Sequence, residues 1–69
     1  MGEKKQIEYY YDRKINDEDT EVDMDGDKLV PERGQIIQKH GERWKVELLI
    51  TEYGGAGSLP VHKVYLVKA

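Results

Sequence analysis

The sequence predicts a mainly β protein: a single small barrel or bent meander of four or five short antiparallel strands carrying an acidic loop. Three observations lead there. Apolar residues recur with a period of two, and no window carries a helical apolar stripe over three turns. The 69 residues leave room for one core, so 1–69 is read as a single domain. Charge is partitioned: residues 12–27 hold eight carboxylates against two cations, a net −6, whereas 28–69 hold seven Lys or Arg against four Glu, a net +3.

The first element is a strand over 5–11, where Ile7, Tyr9 and Tyr11 alternate with Glu8 and Tyr10. The acidic loop follows at 12–27 (DRKINDEDTEVDMDGD); it has too few apolar side chains to offset its ordering entropy and is expected to be mobile unless something neutralises it. The barrel body is 28–69. Within it a strand at 35–39, bearing Ile36 and Ile37, pairs through a two-residue turn at His40-Gly41 with the strand 42–51 (ERWKVELLIT). Strict alternation would put Trp44, Val46, Leu48 and Ile50 on one inner face, with Arg43, Lys45 and Glu47 opposite. The glycine-rich EYGGAGSLP is a loop. The closing VHKVYLVKA is a strand whose apolar residues do not alternate, so both of its faces are expected to be partly covered.

Composition excludes several classes. Charged residues make up 36% of the chain, and with a mean hydropathy of −0.81 no run of about 18 apolar residues can span a bilayer, so the protein is expected to be soluble. Without cysteine there is no thiolate nucleophile, disulfide or Cys-ligated zinc, which suits a reducing compartment. Met1–Gln6 is polar with no apolar stretch after it, so no secretion signal is predicted and the expected location is cytoplasmic.

The sharpest local pattern is Glu21-x-Asp23-x-Asp25-Gly26 with Glu32 six residues on, the ligand spacing of a calcium loop. Against it stand Glu rather than Asp at the first position, Lys28 where an apolar residue normally packs, and Pro31 where a helix should start. Glu21, Asp23, Asp25 and Glu32 therefore rank as a weak metal alternative, and no cofactor is predicted. Gly54–Ser58 leads into Leu59-Pro60 and a strand, unlike a phosphate-cradling loop, which opens a helix. His40, His62, Thr20, Thr51 and Ser58 show no spacing that unites a base with a nucleophile, so no enzyme activity is expected.

The run LVPERGQIIQKHGERWKV, Leu29 to Val46, with Pro31 and Gly34 three apart, then a strand, a tight turn and an aromatic strand, resembles SH3-like small barrels. In its stand-alone form the chain also resembles short uncharacterised phage and bacterial proteins. The resemblance implies a barrel scaffold and no particular activity.

Two functions compete. In the first, a non-catalytic protein-interaction module presents Asp17, Glu18, Asp19, Glu21, Asp23, Asp25 and Asp27, with Tyr10 and Tyr53, to a basic surface of a protein partner. That surface could be one that normally binds nucleic acid, as with phage proteins that imitate DNA charge. In the second, Lys39, Arg43, Lys45 and Lys63 with exposed tyrosines bind single-stranded nucleic acid. No membrane partner is expected. A homodimer through a strand edge is the expected mode of any self-association.

Overall fold

The computed structural model describes residues 3–54 and 59–69. Six strands form one mixed sheet: β1 Lys5–Tyr11, β2 Lys14–Ile15, β3 Glu21–Asp23, β4 Ile36–Lys39, β5 Glu42–Glu52 and β6 Val61–Lys68. The order is β2-β1-β6-β5-β4, with β3 also on β1. The mainly β class and the 5–11, 36–39 and 42–52 elements agree with the sequence reading. No helix among the described residues is long and apolar enough to cross a membrane.

The expectation of wholly antiparallel pairing needs correction, because β1 and β6 run parallel, from Gln6 opposite Val61 to Tyr11 opposite Leu66. Parallel neighbours need a long crossover, and everything from β2 to β5 supplies it. The sheet is also not closed into a barrel. No strand pairing joins β3 to β4. The strands bordering this seam have three and four residues, too few for an extended ladder. Side chains bridge it instead. Lys39 Nζ lies 4.4 Å above the Tyr9 ring and 3.7 Å from Glu21, and His40 Nε2 lies 2.7 Å from Asp19 Oδ2.

The acidic stretch 12–27 is not a loop throughout. β2 pairs with the end of β1 and β3 with its start, so the two are one strand interrupted by a 3₁₀ turn at Asp17–Asp19. Neutralisation makes this affordable: Glu21 meets Lys28 at 2.9 Å and Lys39 at 3.7 Å. Asp23, 5% exposed, meets Lys5 at 2.8 Å. Main-chain hydrogen bonding along the edge of β1 then outweighs the poor apolar content.

Both hairpin turns have positive φ at their two central residues, the primed geometry that follows the sheet twist: His40-Gly41 at 54° and 75°, Asp12-Arg13 at 50° and 70°. The first was legible from Gly41. Arg13 carries a strain that glycine would not, so Arg13→Gly is expected to stabilise the fold by about 1 kcal/mol. A urea midpoint that stays put or falls in the variant would contradict this.

The core consists of Ile7, Tyr9, Trp44, Val46, Val64 and Leu66, from the three central strands, with Tyr11, Val30, Ile37 and Leu49 packed against them. Trp44 is in the core as expected, but Leu48 and Ile50 are not. Val46 faces Leu66 while Leu48 faces Tyr65, so Glu47 is an extra residue, a β-bulge that reverses the alternation beyond it. Leu49 then turns inward, and Leu48 and Ile50 are 42% and 37% exposed.

Candidate functional site

At the β1–β2 turn end of the sheet, a cleft of about 650 Å³ opens between the 3₁₀ turn and the start of β5. Strand alternation supplies its aromatic wall. Tyr11 meets Trp44 edge-on, at 4.9 Å and 75°, and meets the His40 ring at 5.7 Å and 62°. The other wall is the 3₁₀ turn, started by Asn16, whose side-chain oxygen accepts the Glu18 N–H at 3.0 Å. The turn sends its three carboxylates in different directions. Asp19 points inward, where it accepts the Tyr11 hydroxyl and sits against His40. Burial pushes the Asp19 pKa up, but these hydrogen bonds outweigh it and leave the carboxyl below its usual range. Desolvation and Asp19 together push the Tyr11 hydroxyl pKa up. Asp17 and Glu18 stay exposed on the rim and have no ion-pair partner among the described residues.

The seven acids considered for partner binding therefore divide. Asp19, Glu21 and Asp23 are structural. Asp23 is the most committed: its Oδ1 accepts the N–H groups of Asp25, Gly26 and Asp27 at 3.2, 2.8 and 3.3 Å, and its Oδ2 accepts the Lys28 N–H and the Lys5 ammonium, each at 2.8 Å. This corrects the metal alternative. The Asp23 oxygens face N–H donors and Glu21 faces two lysines, so Glu21, Asp23, Asp25 and Glu32 do not converge. No group of three or more His, Asp or Glu among the described residues is placed to hold an ion. Asp17 and Glu18 at the cleft, and Asp25 and Asp27 in the turn held by Asp23, remain exposed and unpaired among the described residues.

The cationic set thins in the same way. Lys39 turns inward over Tyr9, and Lys63 pairs with Glu52 at 2.7 Å, leaving Arg43 and Lys45 exposed and without an ion-pair partner among the described residues. Tyr53 is exposed, and residues 55–58 of the glycine loop lie outside the described residues. Tyr10 is on the opposite sheet face from the cleft, stacked on Tyr65 at 4.5 Å and 15°. There Leu48, Tyr65, Tyr10 and Ile15 stand directly opposite one another across four strands, an apolar row that is exposed at Leu48 and at Ile15, which also borders the cleft, and half-buried at Tyr65 and Tyr10 between them. Sequence reasoning missed this row because the bulge that exposes Leu48 leaves no local mark.

The structure does unite one hydroxyl with an imidazole. Thr51 Oγ1 and His62 Nδ1, on facing residues of β5 and β6, are 2.8 Å apart. Desolvation and then Lys5 push the His62 pKa down, which weakens it as a base, and the pair pins the two strands together. Comparison with family models, curated proteins and solved structures gives no match to this chain.

Proposed function

We propose that the chain is a non-catalytic protein-interaction module that engages a basic surface of a protein partner through the rim of the Tyr11–Trp44 cleft. The observation that carries this is the position of Asp17 and Glu18, exposed acids on the rim of the cleft. Three neighbouring acids are consumed by the fold, while these two lie unpaired among the described residues beside an aromatic cleft.

Deleting the acidic stretch would remove β3 and Asp23 with it, so neutral substitutions are the appropriate test. Nona-arginine peptide is expected to bind at low salt and weaken steeply as salt is raised. Asp17→Asn with Glu18→Gln should weaken it about fivefold, more than Asp25→Asn with Asp27→Asn. No binding at low salt would sink the proposal. A single-stranded oligonucleotide that binds and is lost on Arg43→Gln with Lys45→Gln would replace it with the nucleic-acid function.

A further inference from the structure

We infer that two copies of this chain associate face to face through the outer surface of the sheet, around a hollow between Leu48, Ile50 and Tyr65. The inference is independent of the acidic-module proposal, since Tyr11 and Trp44 pack on the other face, with the core.

Beyond the bulge, alternation turns Leu48 and Ile50 outward together, 42% and 37% exposed, and sets Leu48 opposite Tyr65. With Arg13 and Glu47 these three line a hollow of about 440 Å³. The charges standing among them are already compensated. Lys63, opposite Ile50, pairs with Glu52 at 2.7 Å, and Glu8 accepts hydrogen bonds from Tyr10 at 3.1 Å and Gln6 at 3.3 Å. Compensated charge around exposed aliphatic side chains makes a surface that gains by leaving water.

A second copy fits this surface because its unspent charges are self-complementary. Arg13, in the β1–β2 turn, and Glu47, on β5, are exposed and have no ion-pair partner among the described residues. Both border the hollow, and β6 runs between their strands. A two-fold pair presents the same patch from both sides, so an axis along β6 carries each Arg13 to the other copy's Glu47. A partner of one charge sign would satisfy only one of the two. Lys45 and Arg43 stand further along β5, outside the hollow.

Size and edges favour the same arrangement. The molecule extends 36 × 22 × 22 Å, so its broad face offers at most about 800 Å², the share one partner contributes to an interface of standard size. Pairing through a strand edge is the poorer route: the bordering strands β2, β3 and β4 have two, three and four residues and would add few main-chain hydrogen bonds. Because charged groups occupy part of the face, the expected Kd is about 100 µM, which leaves the chain monomeric at low micromolar concentration.

Sedimentation equilibrium from about 5 µM to about 1 mM should show the mass rising from the 8.0 kDa monomer toward twice that value. Leu48→Lys should stay monomeric throughout. Arg13→Glu and Glu47→Arg should each weaken association about tenfold, by setting like charges opposite one another at both contacts. An equimolar mixture of these two variants should associate as the wild type does, because each copy then meets an opposite charge at both positions. A change in the fold of either variant would not give that rescue, and the mixture decides the matter even if Leu48→Lys fails to fold. A monomer at every concentration, association that survives in folded Leu48→Lys, or a mixture no better than its components would overturn the inference.

Discussion

Asp23→Asn is expected to lower the melting temperature at neutral pH by on the order of 10 °C. Asp23 and Lys5 are 5% and 9% exposed, and the asparagine would leave the Lys5 ammonium buried without its counter-charge. It would also direct an amide N–H₂ at groups that are themselves donors, the Lys5 ammonium and Lys28 N–H on one side or the turn N–H groups on the other. The turn at 24–28 has no other such centre. The Lys5 hydrogen bond, opposed by burial and reinforced by the main-chain donors, holds the Asp23 carboxyl well below its ordinary 3.8. A carboxyl depressed in the folded state contributes stability in full above its unfolded value, and that contribution is lost as pH falls through the folded one. The melting-temperature gap between wild type and variant should therefore be complete at neutral pH, begin to narrow as pH falls below about 4, and close only in strong acid, once the folded carboxyl is itself protonated and near-isosteric with Asn. Thermal melts across that range check both parts. A gap that persists unchanged into strong acid would show that the carboxylate charge is not its source.

How much of this was legible in the sequence depended on whether the deciding contacts were local. The 5–11 strand and the His40-Gly41 hairpin were legible because alternation and a glycine at positive φ lie within a few residues of one another. The acidic stretch was misread because its neutralising partners are distant in sequence. Lys5 is 18 residues from Asp23, and His40 is 21 from Asp19. Composition counts charges without pairing them, so it gave the same weight to Asp23, which anchors a turn, as to Asp17, which is free. The parallel β1–β6 pairing depends on a crossover of nearly the whole chain and has no local signature. The cleft could be found only in fragments. Alternation puts Tyr11 on the face of Ile7 and Tyr9 and puts Trp44 on the inner face of its strand, but their meeting needs β6 between β1 and β5, a fact of sheet order.

The bulge at Glu47 sets up a sharper contrast between two leucines. Leu66, 1% exposed and opposite Val46, lies ahead of the bulge on the core side, and Leu66→Ala should cost about 2–5 kcal/mol through lost burial and the cavity left behind. A domain of this size holds about 3–10 kcal/mol in total, so the variant should populate unfolded chain at room temperature, visible as lost tyrosine and tryptophan near-ultraviolet dichroism. Leu48, 42% exposed on the opposite face, should cost less than about 1 kcal/mol as Leu48→Ala. Leu48→Lys should fold as well, since its ammonium would stand in solvent beside Tyr65. Without the extra residue, simple alternation from Trp44 would carry Leu48 into the core and its truncation would rival that of Leu66. Equal losses for the two leucines, or an unfolded Leu48→Lys, would therefore mean that the register runs straight through Glu47. The apolar row of Leu48, Tyr65, Tyr10 and Ile15 would then lose its Leu48 end.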